Sequence, residues 1–363
     1  MADVSRRDRA QMLLIASLLI ASVFVGLALV VNSAIYAENL ATRETSGDTT
    51  ESLEHVQLVE RDLQELIDKS NAAVTGDDYN VVKNGYESDL ALWSNSQERR
   101  YGATGRHVSY KQENITEGTR IQQTNASRNF TAGNKTAGKA EWTLVNDTTR
   151  AGEFEMTLDR TDLLDAPAAL ALDAIFGETF NVVIENEAGQ KWVVYLFQDD
   201  SPVSDAAYVM VKPPGGFDFS LSDPLSSLDA DDYCTTTGEN VSLDLIEGTF
   251  DGEECSDLSF YTDNVTGTPH NISYANTETD GIENPTWPAA GPEYLISPND
   301  RVTGTYNLTV DTRADRTPYY DPDSGDNPNA KAIIYESAVT IEFRTRRTRH
   351  SNENVSAKWS RVA

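Results

Sequence analysis

The sequence predicts an α+β protein: an N-terminal transmembrane helix, a short helical stalk, then a β-rich, sandwich-like ectodomain. Three observations carry this expectation. Met12 to Val31 is an unbroken run without a charged residue. Between Leu53 and Trp93 apolar residues recur every three or four positions, the period of an amphipathic helix. From His107 onward the period falls to two, most cleanly at Val302, Gly304, Tyr306, Leu308 and Val310, the alternation of a strand. The expected segments are therefore a basic cytoplasmic leader at 1–10, the transmembrane helix at 11–35, the helical stalk at 36–105, and an extracellular β-rich domain at 106–363 built as one or two subdomains.

About twenty residues at 1.5 Å each make a helix of roughly 30 Å, the thickness of a bilayer's hydrocarbon core. Ser17, Ser22 and Gly26 are its only small or weakly polar interruptions, and no polar stripe runs along it, as a surface helix of a soluble protein would require. Arg6, Arg7 and Arg9 precede the run, whereas Glu38, Arg43, Glu44, Asp48, Glu51 and Glu54 follow it. The positive-inside rule then sets the N-terminus in the cytoplasm and the chain beyond Asn32 outside. The protein is expected to cross the cell membrane once, with lipid as its first partner. A cleaved secretory signal, cut near Ala34 or Ala37, is the competing reading, but its apolar core should be shorter.

Arg9-Ala10-Gln11 abuts the apolar run without a spacer. This resembles the class III signal peptide of archaeal type IV pilin-like proteins, over about the first 40 residues. The resemblance implies cleavage by a prepilin peptidase between Ala10 and Gln11, leaving the helix as the mature N-terminus. It departs from the bacterial pilin pattern, in which the fifth mature residue is Glu; here that position is Ile15. Ser17 with Ala21, and Ser22 with Gly26, are small residues four apart, a spacing that lets helices approach closely. They offer contacts to copies of this chain or to other pilin-like subunits.

In the stalk, Gly47-Asp48 marks a break, and a helix carries Leu53, Val56, Val59, Leu63, Leu66, Ile67 and Val74 on one side. Gly76-Asp77-Asp78 ends it, and Tyr79, Val82, Tyr86, Leu90 and Trp93 mark a second helix running to about Arg99. In the β-rich part, Phe180–Ile184 and Trp192–Phe197 flank Glu187-Ala188-Gly189-Gln190 as a hairpin. Further strands are expected near 141–145, 153–158, 207–211, 240–246, 301–310, 333–343 and 354–359, with a short helical insertion over Asp162–Phe176.

Composition narrows the environment. Acidic residues number 58 against 29 basic, and only nine of the basic ones are Lys. Such self-repulsion is tolerable where molar salt shortens the Debye length to about 3 Å, so the chain looks halophilic, and with the pilin-like leader it suggests a haloarchaeal origin. The net charge of −29 argues against nucleic acid as a partner. Intrinsic disorder does not fit a chain that is 39% hydrophobic. Cys234 and Cys255 are the two cysteines, and outside the membrane they are expected to form a disulfide.

Ten Asn-x-Ser/Thr sequons follow the span, at Asn114, Asn125, Asn129, Asn134, Asn146, Asn240, Asn264, Asn271, Asn307 and Asn354. Seven have an apolar middle residue: Ile115, Phe130, Val241, Val265, Ile272, Leu308 and Val355. On a strand an apolar middle residue points inward, which turns the Asn and the Ser/Thr toward solvent. A glycoprotein with glycans standing off its sheets is expected.

Catalytic patterns are sparse. The sequence has no Gly-x-Ser-x-Gly elbow, no HExxH and no phosphate-binding glycine loop. His55, His107, His270 and His350 are scattered, and Asp231-Asp232 or Glu253-Glu254 are unremarkable pairs in so acidic a chain. Asp321-Pro-Asp323-Ser-Gly325-Asp326 resembles a calcium loop, but its twelfth position is Ala332, where a bidentate Glu is needed. No cofactor or metal is expected. Arg344, Arg346, Arg347 and Arg349 form a basic patch that either docks onto an anionic partner or pairs with the domain's own carboxylates. The reading that follows is a non-enzymatic cell-surface protein, a pilin-like or pseudopilin-like component of a surface assembly. A separately anchored adhesin or envelope protein is the first alternative, and an ectoenzyme the second.

Overall fold

The computed structural model describes residues 4–74, 76–133, 142–165, 179–199, 205–216, 233–277, 302–314, 328–344 and 349–359; of 4–12, 14–15 and 37–52 it describes the backbone alone. Helix α1 (Val4–Ala73) is a single 70-residue element, roughly 105 Å long at 1.5 Å per residue. It runs through Gly47-Asp48, so the expected break is absent. One Gly costs a helix only about 1 kcal/mol relative to Ala, and no Pro lies nearby to remove a hydrogen bond. Helix α2 (Tyr79–Gly102) begins where Asp78 accepts the Asn80 N–H at 2.9 Å, an N-cap that the Asp77-Asp78 pair makes legible.

Among the described residues fourteen strands follow: β1 (His107–Gln123), β2 (Trp142–Thr148), β3 (Ala151–Asp159), β4 (Asn181–Asn186), β5 (Lys191–Asp199), β6 (Ala206–Lys212), β7 (Cys234–Thr236), β8 (Asn240–Asp244), β9 (Thr249–Phe250), β10 (Glu253–Glu254), β11 (His270–Ala275), β12 (Gly304–Val310), β13 (Asn329–Arg344) and β14 (Arg349–Lys358). They form an eight-stranded sheet ordered β10-β9-β8-β3-β12-β1-β13-β14 and a six-stranded sheet ordered β2-β11-β4-β5-β6-β7. Every pairing between these strands is antiparallel, and an isolated bridge from Asp165 to Gln198 of β5 is parallel. The expected hairpin is β4–β5; its turn is held by Asn186 Oδ1, which accepts from the Ala188 and Gln190 N–H groups. Of the expected insertion over 162–176, residues 166–176 lie outside the described residues, and Arg160–Asp162 is a 3-10 turn.

The two sheets enclose one shared core, with Phe154, Met156, Tyr306, Leu308 and Ile121 from the large sheet meeting Trp142, Val182, Ile184, Val194, Leu196 and Tyr274 from the small one. Alternation does this work, since each strand turns every second residue inward. A second apolar cluster joins the helices to the large sheet. Val59, Leu63 and Ile67 of α1 and Tyr79, Val82, Tyr86 and Leu90 of α2 bury against Val108, Val339, Ile341, Phe343, Val355 and Ala357. The stripes expected of the stalk helices are thus spent on the sheet. Leu53, expected on the same stripe, is exposed. Long strands β1 and β13 serve both clusters: Ile121 and Ala330 belong to the sandwich core, and Val108 and Phe343 lie under the helices.

The end of α1 also covers an open edge. Below the point where β14 stops pairing, Asn71 exchanges hydrogen bonds with both backbone groups of Ile334, at 3.0 and 2.8 Å. Ala332 N–H donates to Gly76 O. A side-chain amide here completes the ladder as a neighbouring strand would, and the edge is closed.

Candidate functional site: an apolar helix, surface sequons and a polar sheet face

The feature with the clearest use is the first part of α1. Ala16–Tyr36 has a mean hydropathy of 2.4 and none of it is buried. Leu18, Phe24 and Val30 are each about two-thirds exposed or more. Among the described residues it is the one helix long and apolar enough to cross a membrane, and a bare apolar surface of that extent in water would be an aggregation site. Arg9, Ala10 and Gln11 lie in the same helix just before it. Further along, the helix that offers this surface buries Val59, Leu63 and Ile67 in the folded domain.

Nine of the ten sequons fall among the described residues, and Asn134 lies outside them. Asn114, Asn146, Asn240, Asn264 and Asn354 are exposed; Asn125, Asn129, Asn271 and Asn307 are half-buried. Of the apolar middle residues, Phe130, Val241, Val265, Ile272, Leu308 and Val355 are buried and Ile115 is half-buried. On β8, β11, β12 and β14 the alternation buries the middle residue as expected, whereas Asn129 and Asn264 lie outside the strands, Asn264 in the helical turn Tyr261–Val265. Half-buried amides are already engaged: Asn271 Oδ1 accepts the Asp147 N–H at 3.0 Å, Asn307 Oδ1 accepts from Arg120 Nε at 2.9 Å, and Asn125 Oδ1 accepts the Ser127 N–H at 3.0 Å.

Cys234 and Cys255 form the expected disulfide, with Cα atoms 6.0 Å apart. It links β7, the last strand of the small sheet, to the residue following β10, the last strand of the large one. Two residues of the basic patch pair within the domain. Arg344 and Arg349 face each other across β13 and β14, and both reach Glu342, at 2.8 and 3.2 Å. The Arg344 hydrogen bond and the Arg349 charge hold the Glu342 carboxyl below its usual pKa. Arg346 and Arg347 lie outside the described residues, as do Asp231-Asp232 and the Asp321–Asp326 loop.

Two histidines are buried with both ring nitrogens engaged. His55 on α1 has Tyr101 Oη 2.9 Å from Nδ1 and Tyr110 Oη 2.9 Å from Nε2. A neutral ring satisfies both, donating to one hydroxyl and accepting from the other. His270 Nδ1 lies 2.7 Å from the Thr268 carbonyl, so it carries the proton, and Nε2 accepts from Tyr261 Oη at 3.1 Å. Burial lowers the pKa of both rings; nearby Asp62 opposes this at His55, and the Thr268 bond and Asp311 oppose it at His270. A depressed folded pKa means the unfolded chain takes up protons first, near pH ~6.5. Stability is therefore complete above that value and falls as pH drops below it, until the folded rings protonate too. A urea-midpoint series from pH 8 to pH 5 should show this decline. In His55→Leu the slope should shrink, with a loss at neutral pH of about 1–3 kcal/mol where the Tyr110 hydroxyl loses its partner. An unchanged acid slope in that variant would remove His55 from the account.

The outer face of the large sheet is polar. Two adjoining hollows of about 540 and 290 Å³ share Arg120, Glu155 and Asn307, with Trp359 and Lys331 at one end and Gln122 and Thr305 at the other. The Arg120 guanidinium lies 5.8 Å from the centre of the Trp359 ring. Nearby, Arg150 bridges Asp311 and Glu336 at 3.2 and 2.8 Å and stacks over Tyr335. The face offers hydrogen-bond donors and acceptors. Among the described residues no three of His, Cys, Asp or Glu converge to hold a metal ion.

A family of unknown function (DUF7261) has a model that matches residues 6–154. No curated protein and no solved structure matches the chain. The matched stretch takes in α1, α2, β1 and β2 and ends inside β3; since β1 pairs with β12 and β13, it cannot form its sheet without the strands beyond it. To that family, over its first two-fifths, this chain is similar.

Proposed function

We propose that this is a non-enzymatic, membrane-anchored cell-surface protein, a pilin-like or pseudopilin-like subunit of a surface assembly. One observation carries the reading. A single continuous helix presents bare apolar side chains over Ala16–Tyr36 and buries Val59, Leu63 and Ile67 in the domain. Whatever the apolar part joins, lipid or a bundle of like helices, the β-domain is carried along by the same element. The Arg9-Ala10-Gln11 junction adds the resemblance to prepilin processing. The outward sequons and the disulfide fit an oxidising exterior, and the N-terminal arginines fit a cytoplasmic leader. Commitment of both ring nitrogens of His55 and His270 to neighbours supports a structural rather than a catalytic role.

Cleavage after Ala10 removes Arg6, Arg7 and Arg9 together. A charge costs several kcal/mol to draw into hydrocarbon, so their loss frees the helix to leave the bilayer and bundle. Intact-mass and N-terminal analysis of the protein from its own cells should find a chain starting at Gln11. Ala10→Glu should leave the longer precursor in the membrane. An N-terminus ahead of Gln11 in wild-type protein would instead indicate a stationary anchored adhesin or envelope protein.

A further inference from the structure

Where helix α1 ends, the outer face of the large sheet forms a hollow that reaches from Asp68 and Asn71 to Trp359. Its volume of about 540 Å³ lies within the range of small-molecule sites, about 300–1,000 Å³. Trp359, just past β14, is fixed in place. Its N–H donates to the Tyr335 carbonyl at 2.6 Å. Its ring lies against Gly152 of β3, where a Cβ would meet Trp359 Cε3 at 3.4 Å. The side chain stays half-buried and forms part of the wall of the hollow.

Hydrogen-bond donors lining the same space lack acceptors. Arg120 gives Nε to Asn307 Oδ1 at 2.9 Å, and among the described residues neither of its Nη groups meets an acceptor. That bond also orients the Asn307 amide, so its Nδ2 is turned away from Arg120 and meets no acceptor among the described residues either. Lys331 pairs with no carboxylate among them, although Asp68, Glu153 and Glu155 line the hollow too. A guanidinium and an ammonium left without ion pairs stand out in a chain with 58 acidic residues against 29 basic.

We infer that this hollow binds a saccharide, held on the Trp359 ring by the donors of Arg120, Asn307 and Lys331. Other chemistries fit the lining less well. Three carboxylates against two cations disfavour phosphate or another small anion. Among the described residues no acidic group of the kind that holds a metal converges, and an apolar ligand would strand the donors. A sugar ring meets both demands. Its C–H face buries apolar surface on the indole, and its hydroxyls accept from Nη, Nδ2 and Nζ. The planar Arg120 fork suits two neighbouring hydroxyls at once. Beyond Arg120 the smaller hollow of about 290 Å³ continues along Gln122 and Thr305, which gives room for a chain of rings. The sugar comes from a separate polysaccharide or from a glycan on a second copy of this protein. Asn307 is itself a sequon asparagine, and the site requires it to be bare. This role goes beyond anchoring and does not depend on the pilin-like reading.

The test uses the full chain from its own cells, purified in detergent at molar salt. Saturation-transfer NMR and calorimetric titration are run with two probes. One is a set of neutral trisaccharides of glucose, galactose, mannose and N-acetylglucosamine; the other is the glycopeptide pool that protease releases from this protein. At least one probe should bind with a Kd of about 1 mM or below. Trp359→Ala and Asn307→Asp should each weaken it about tenfold or more, with circular dichroism unchanged. The second variant keeps an acceptor for Arg120 and removes the Nδ2 donor, so it tests the site even if the first fails to fold. Lys212→Ala, in a separate hollow, should bind as wild type. Tighter binding of the glycopeptides assigns the ligand to a second copy, and tighter binding of the trisaccharides to a separate polysaccharide. Glycopeptide mass spectrometry should find Asn307 bare; a glycan there would fill the hollow and overturn the site. Binding of neither probe, or binding that both variants leave unchanged, would overturn it as well.

Discussion

Asp311→Ala should lower the domain's stability by about 3–5 kcal/mol, the cost of breaking a buried charged network on one side. The Asp311 side chain is 6% exposed. It accepts from Thr148 Oγ1 at 2.9 Å, the Thr149 N–H at 2.9 Å, the Arg150 N–H at 3.1 Å, Arg150 Nε at 3.2 Å, and Thr149 Oγ1. One carboxylate thereby fastens the turn between β2 and β3, the place where the chain passes from the small sheet to the large one. Its loss orphans two backbone donors and leaves Arg150 to Glu336 alone. Burial by itself would raise the Asp311 pKa, but the bonds from Thr149, Arg150 and Thr148 outweigh it and hold the carboxyl below its ordinary value. The sign of the pH effect follows: the stabilisation is complete above the unfolded value near ~3.9 and is lost as pH falls through the folded one. Urea unfolding at neutral pH and at pH 3 should show the gap between wild type and variant narrowing in acid. A loss below about 1 kcal/mol at neutral pH would mean that the network is replaceable by water.

The second large effect concerns the disulfide. Its two cysteines are 21 residues apart, and closing a loop of that size removes about 3 kcal/mol of chain entropy from the unfolded state. Replacing both by Ala should lower stability by about that amount. The two strands it joins are too short to hold themselves, so hydrogen exchange should rise over residues 233–236 and 253–255 more than over β3 or β5. Uniform acceleration across the sandwich would show instead that the bond acts on global unfolding alone.

How much of this was legible depended on whether the cause was local. The stripe Val59–Leu63–Ile67 and the alternation of β12 are written in spacing, and both reappear as buried rows. Strand β1, the longest, was not singled out. Two register shifts, between Gln112 and Asn114 and between Thr116 and Glu117, break its alternation, and its apolar residues Val108, Ile115 and Ile121 fall out of step with any single period. Short strands β7, β9 and β10 have no room for a pattern and are defined by their neighbours. The continuity of α1 was missed because a Gly reads as punctuation although its cost is small. In the candidate site, the cysteine pair and the outward sequons were legible from count and spacing. The tyrosine partners of His55 were not, since they stand 46 and 55 residues away. The fate of Arg344 and Arg349 was likewise undecided until the β13–β14 register set both beside Glu342.

The pairing of β1 with β13 has a consequence for how the protein is made. His107 finds its partner at Arg344, and the helices bury their stripe against residues as late as Ala357. Elements synthesised first therefore wait for those synthesised last, and contacts of such long sequence separation close slowly. Throughout that interval the apolar stripe of α1 and α2 has no sheet to cover it, and the acidic intervening chain must stay unentangled. A ribosome stalled or a chain truncated before β13 would yield a long helix with an open, adhesive flank, so completion of synthesis itself acts as the checkpoint for a closed domain.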